Sequence, residues 1–131
     1  MINERVRAPL PQNARLLKAD EFSSAFRLRP WERTAHFVLY GRRTCKAARI
    51  GLVVGLKAAP RAVSRALIKR LGREIFRVRR AQLFGWDILL RLYRRLDKQA
   101  FRSASSPALK KMCRDEIEIL FAAALRRITQ T

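Results

Sequence analysis

At 131 residues the chain falls in the size range of one domain, and 49% hydrophobic residues suffice for one modest core, so a second domain is not expected. Its 30 Lys and Arg against 10 Asp and Glu give a formal net charge of +20. That charge repels itself in a compact state unless a polyanion is bound, and Arg, far commoner here than Lys, meets phosphate through two parallel hydrogen bonds. No run of about 18 apolar residues is present to span a bilayer, and residues 1–15 lack the apolar core of a secretory signal, so the expected compartment is the cytoplasm.

Residues 1–14, with Pro9 and Pro11 and no hydrophobic period, are expected to form a flexible arm ahead of a domain over 15–131. Residues 19–26 read as a short helix with Phe22 and Phe26 on one side, Asp20 and Glu21 in its first turn, and Pro30 beyond its end. Residues 36–40 and 49–56 read as strands. In the second, Ile50, Leu52, Val54 and Leu56 share one face, and Gly51, Val53 and Gly55 the other, where two glycines would admit a bulge, a close helix or a ligand.

A long helix is expected over 60–82, with Pro60 in its first turn, and a third strand over 86–93, buried through Trp86, Ile88, Leu90 and Leu92. Ser106 and Pro107 open a last helix to about residue 128, with the apolar stripe Leu109, Met112, Cys113, Leu120, Phe121, Ala124 and Ile128. Asp115, Glu116 and Glu118 on this helix read as solvated. Cys113 reads as a core thiol and Cys45 as a loop thiol; with the lone His36 they do not make a standard four-ligand zinc site.

The long helix carries the strongest functional pattern. At about 100° per residue from Arg61, Val63, Leu67, Ile68, Leu71, Ile75 and Val78 fall between roughly 200° and 340°. All eight cations of the segment, Arg61, Arg65, Lys69, Arg70, Arg73, Arg77, Arg79 and Arg80, fall between roughly 0° and 180°. A merely solvated face usually mixes signs, whereas Glu74 is the only acid here. Each like-charge pair one turn apart costs a few tenths of a kcal/mol, about what a row of phosphates would offset. Phe76, at about 60° among the cations, either packs on the sheet past Gly72, the favoured reading, or offers a ring for stacking.

The stretch Ser64-Arg65-Ala66-Leu67-Ile68-Lys69-Arg70-Leu71-Gly72-Arg73-Glu74-Ile75-Phe76-Arg77 resembles the signature helix of the bacterial ribonuclease P protein component, R-N-R-x-K-R-x-x-R-E-x-F-R. Of its R-N-R core only Arg65 is kept; Ala66 and Leu67 stand at the next positions, and a Lys-Lys pair that often ends the preceding strand is reduced to Leu56-Lys57. Asp20-Glu21-Phe22-Ser23-Ser24-Ala25-Phe26, Phe37-Val38-Leu39-Tyr40 and Arg49-Ile50-Gly51-Leu52 resemble other family segments, in the same order.

The resemblance implies a small α/β (α+β) fold, similar to a domain of a small-subunit ribosomal protein. A central three- to four-stranded sheet is joined by helices in the order α-βββ-α-β-α, with a left-handed crossover that is rare on general grounds. It also implies two RNA surfaces. Arg61, Arg65, Lys69, Arg70, Arg73, Arg77 and Arg80 would contact the catalytic RNA, and Phe22, Phe26, Tyr40 and Lys57 would line a cleft for the single-stranded 5′ leader of precursor tRNA. Phe22 and Phe26 read equally well as core residues. The chain itself shows no catalytic constellation, because His36 has no evident partner and no carboxylate cluster has metal-binding spacing. Chemistry and Mg2+ would then belong to the RNA subunit, with no cofactor on the protein, no membrane and no obligate protein partner. The rivals are a general or ribosome-associated basic RNA-binding protein and a cationic membrane-surface protein, the latter disfavoured by the strand-forming segments.

Overall fold

Alternation of apolar residues along short segments produces a sheet with two different faces. The computed structural model describes residues 30–98, 101 and 106–130. Strands β1 (Pro30–Arg33), β2 (Phe37–Arg43), β3 (Arg49–Val53) and β4 (Trp86–Leu92) form one sheet in the order β1-β2-β4-β3. β2 pairs antiparallel with β1 and β4, while β3 and β4 run parallel. Their connection is helix α1 (Ala62–Arg77) followed by a 3-10 turn (Arg80–Leu83), and α2 (Pro107–Gln130) closes the chain.

Phe37, Leu39, Ile50, Ile88 and Leu90 point to the side on which Ile68, Phe76, Ile117 and Phe121 complete the main core. α1 seats closely on that side: a Cβ added at Gly72 would lie 2.7 Å from a Leu52 methyl and 3.3 Å from one of Leu90. Phe76 is fully buried, its ring 6.3 Å from that of Phe121, so it packs and does not stack on a ligand. On the opposite face Val38, Tyr40 and Leu89 are also buried, with Val53 and Tyr93 against them.

Several expectations are corrected. The helix expected over 60–82 ends at Arg77, because the hydrogen-bond ladder tightens there: Arg79 N donates to Phe76 O at 2.9 Å, Gln82 N donates to Arg79 O at 3.1 Å, and the Arg79 guanidinium takes up the Ile75 carbonyl at 3.1 Å. Val63 and Val78, assigned to the core stripe, are 58% and 65% exposed, since one sits in the first turn and the other caps the helix. β3 stops at Val53, which leaves Leu56 67% exposed beyond it. Pro30 opens a strand, β1, that residue patterning did not single out. The expected helix over 19–26 and the arm over 1–14 lie outside the described residues.

Other readings hold. Ser106 Oγ accepts from Leu109 N at 3.1 Å and so caps α2, whose stripe also includes Ile117. Cys113 is buried and Cys45 exposed. Phe76→Ala should lower unfolding stability by about 3–5 kcal/mol through the cavity it leaves, measured as a shifted urea midpoint; near-unchanged stability would mean the ring is not part of the core.

Candidate nucleic-acid interface

α1 is rotated by its apolar contacts, and the rotation decides where its cations go. With Leu67, Ile68, Leu71, Ile75 and Phe76 turned to the core, Lys69, Arg70, Arg73 and Arg77 fall along the outer side. The helix carries no acid in its first turn and no side-chain cap. Arg70 is exposed, and Arg77 meets Glu74 at 3.3 Å one turn away, an exposed-side pair that neutralises little.

The remaining cations of the segment leave that row. Arg61 is the residue before the first turn. Arg65 folds back, its guanidinium donating to the Ala59 and Pro60 carbonyls at 2.9 Å each, which ties down the entry to the helix. Arg80 lies in the 3-10 turn and donates to the Ala48 carbonyl at 2.9 Å. Arg79 is ion-paired with Glu118 of α2, so the separation of cations from acids read on the wheel is not complete in space.

The sheet face opposite the helices is also built with charge. Register aligns Arg42, Asp87 and Arg49 across β2, β4 and β3. The Arg49 guanidinium reaches both Asp87 oxygens, at 3.0 and 2.8 Å, and Arg42 adds a third bond at 2.7 Å. Burial pushes the Asp87 carboxyl up, but the hydrogen bonds from Arg49 and Arg42 outweigh it and hold the group below its ordinary value. Asp87 is 2% exposed, yet the two guanidiniums remain partly open to solvent.

Two register rows along, Tyr40 and Leu89 give way to Val38, Arg91 and Val53, and beyond them an open groove of about 690 Å³ runs past Lys57, Arg91, Tyr93 and Arg95. Gly55 borders it with open space where a Cβ would stand. Tyr93 is the joint of this region. Its hydroxyl donates to Thr34 O at 2.6 Å, and the guanidiniums of Arg33 and Arg94 lie 5.2 and 5.9 Å from its ring centroid. Tyr40 and Lys57 thus border the same pair, Val53 and Tyr93. Tyr40 is 7% exposed, however, and offers little ring surface. Phe22 and Phe26 lie outside the described residues.

Of the three acids of α2 read as solvated, Asp115 is exposed, whereas Glu116 and Glu118 are engaged with other elements. Glu116 accepts from Thr34 Oγ1 at 2.6 Å and from the His36 backbone N at 2.8 Å, and its other oxygen lies 2.7 Å from His36 Nδ1. His36 therefore has a partner, 80 residues away in sequence, where none was evident. Glu118 pairs with Arg79, and Asp115 with Lys111 at 2.8 Å on the surface. Among the described residues, no group of three or more His, Cys, Asp or Glu is placed to hold a metal ion.

Both the sequence and the fold that carries these surfaces match known proteins. The model of the family described as Ribonuclease P matches residues 10–116. The chain belongs to the ribonuclease P protein family. The ribonuclease P protein component of Paraburkholderia xenovorans is 60% identical over 126 residues, covering 96% of this chain and 91% of that one. That of Ralstonia pickettii is 48% identical over 120 residues, covering 91% and 84%. Among solved structures, the RNase P protein of Staphylococcus aureus superposes with a TM-score of 0.65 at 22% identity, covering 85% of this chain and 94% of the other. The RNase P protein of Thermotoga maritima gives 0.62 at 26%, covering 81% and 93%. The family fold is therefore present: a mixed four-stranded sheet with two helices among the described residues.

Against the family motif, Leu67 occupies an Arg position, and it is 4% exposed within the core, while Ala66 is exposed. Sequence reasoning missed Arg42, Asp87 and Arg49, whose association depends on strand register, and Arg91, Tyr93 and Arg95, whose face only the sheet order reveals. Strand alternation placed Asp87 opposite Ile88, and a carboxylate between the apolar residues Trp86 and Ile88 was the available signal.

Glu116 supplies a pH-dependent hinge between α2 and the β1–β2 turn. Burial raises its carboxyl, but the bonds from Thr34 and His36 prevail and depress it below its ordinary value of 4.5. A depressed carboxyl adds stability that is full above the unfolded-state pKa and is lost as pH falls through the folded one. Glu116→Gln should therefore cost about 1 kcal/mol or more at neutral pH and flatten the loss of stability below about pH 4.5, followed by thermal melts across pH. Parallel acid limbs for both proteins would exclude this role.

Proposed function

We infer that the outer row of α1 lies against the catalytic RNA of ribonuclease P, and that the groove beside Lys57, with Tyr40 at its edge, holds the single-stranded 5′ leader of precursor tRNA. The chain is a ribonuclease P protein component, a subunit serving maturation of the tRNA 5′ end. The observation that carries the finer reading is the line of Lys69, Arg70, Arg73 and Arg77 turned away from the core, with Glu74 its only acid.

Each part has a physical role. A cationic helix face binds polynucleotide by releasing condensed counterions, and it lowers the repulsion between two RNAs brought together. Single-stranded RNA is held by a basic groove with aromatic surface, the character of the Lys57, Arg91, Tyr93 and Arg95 region. In this reading the hydrolytic water and Mg2+ are positioned by the RNA subunit, the protein contributes no catalytic side chain, and the assembly works in the cytoplasm. No helix among the described residues is long and apolar enough to cross a membrane.

Precursor tRNA cleavage by the RNA subunit at about physiological magnesium tests the whole proposal: adding the protein should raise kcat/KM, and no gain would remove it. Binding separates the two surfaces. Arg70→Ala and Arg73→Ala should each weaken RNA binding irrespective of leader sequence and reduce the slope of log affinity against log salt by about 1. Lys57→Ala should instead weaken precursor tRNA and leave mature tRNA unaffected, and an equal loss for both would take Lys57 out of the leader site.

A further inference from the structure

Trp31 and Trp86 are the only tryptophans in the chain, and they meet at one corner of the sheet with ring centroids 4.6 Å apart and planes at 45°. The Trp31 ring lies directly on the backbone of β2. A Cβ at Gly41 would come within 2.6 Å of its carbons, so only glycine at 41 lets the indole settle there. Arg43, the register partner of Trp86, is exposed and holds its guanidinium carbon 5.5 Å from the Trp86 ring centroid.

Both indoles are only partly buried, and they pack at the edge of a core that includes Leu83, Ile88 and Phe121, each fully buried. The corner therefore presents aromatic surface with a cation beside it. A second arginine is near: Arg127 of α2 reaches Glu32, next to Trp31 on β1, at 3.9 Å and remains half exposed. It also lies at the end of the fold where α1 finishes, since Arg77 leads through the 3-10 turn and the 63% exposed Phe84 to Trp86. A phosphate chain following the cations of α1 toward its C-terminus is thereby brought to this end of the sheet.

We propose that the Trp31–Trp86–Arg43 corner is a further RNA contact, distinct from the α1 row and the Lys57 groove, that takes an unpaired base on the indoles while Arg43 meets the adjoining phosphate. Its chemistry fits single-stranded RNA: every base offers a flat face to an indole, and a guanidinium already held over an aromatic ring keeps its donors for phosphate. A protein partner would have to bring a matching acid to a chain of net charge +20, whereas polynucleotide brings one with every residue. The inference rests on RNA being the partner of the family and not on the leader groove.

Because both tryptophans sit in this corner, tryptophan emission of the full chain, excited at wavelengths tyrosine does not absorb, reports on it alone. A short oligoadenylate is titrated in, fluorescein-labelled where anisotropy reports total binding and unlabelled where tryptophan emission reports the corner. Saturable quenching is expected, persisting in Trp31→Phe, with Arg43→Ala raising the concentration for half-quenching about fivefold or more. Arg70→Ala should weaken the anisotropy response yet leave the emission quenched at saturation. Binding by anisotropy with unchanged emission would overturn the corner while leaving the RNA reading intact, and no binding by either signal would overturn both. Quenching unaffected by Arg43→Ala, or emission that responds to phosphatidylglycerol vesicles and not to oligoadenylate, would also overturn it.

Discussion

The cationic face proposed to meet the catalytic RNA depends on how α1 is turned about its own axis. The close seat of Gly72 on Leu52 and Leu90 and the buried ring of Phe76 against Phe121 leave the helix one orientation. A larger side chain at 72 would lift the helix from β3 and β4, and loss of Phe76 would free it to roll. Roughly a third of a turn separates a guanidinium in solvent from one forced against the sheet, and a buried unpaired charge is too costly to accept. Dispersion and hydrophobic contacts on one side of α1 thus determine the electrostatics of the other.

The carboxylates complement that arrangement by being used internally. Glu32, Glu74, Asp87, Asp115, Glu116 and Glu118 each bond to Arg, Lys or His of the chain itself. Asp87 serves two arginines from neighbouring strands and holds them at fixed positions on the sheet face, and Glu116 joins α2 to the turn before β2. Apart from Glu74, which pairs with Arg77, these acids are kept from screening the α1 row, and the excess of positive charge is left for a partner outside the chain. Stability and binding draw on different charges.

Local patterns were legible in the sequence where one period governs. The stripe of Leu67, Leu71 and Ile75, the alternation through Ile88, Leu90 and Leu92, and the Ser106 cap all follow from neighbours within a few positions. The ends of elements were less legible, because a wheel drawn to residue 82 has no means of seeing the ladder tighten at Phe76 and Arg79. Contacts over long separations were not legible at all: Glu116 with His36 and Arg79 with Glu118 arise only when α2 lies across the sheet. The motif at 64–77 identified the family, and Leu67, at a family Arg position, read as core on the wheel and is core in the structure, 4% exposed.

The thiol of Cys113 is pushed up to about 12, chiefly by burial and secondarily by the Glu116 carboxylate one turn away on α2. It stays protonated at every pH the cell reaches and has neither the charge nor the access to attack an electrophile. For alkylating reagents, oxidants and crosslinkers the folded molecule is thus a one-cysteine protein, addressed only at Cys45 in the turn between β2 and β3. A probe attached there would sit at a single known place on the native chain, with no need to engineer away the second sulfur.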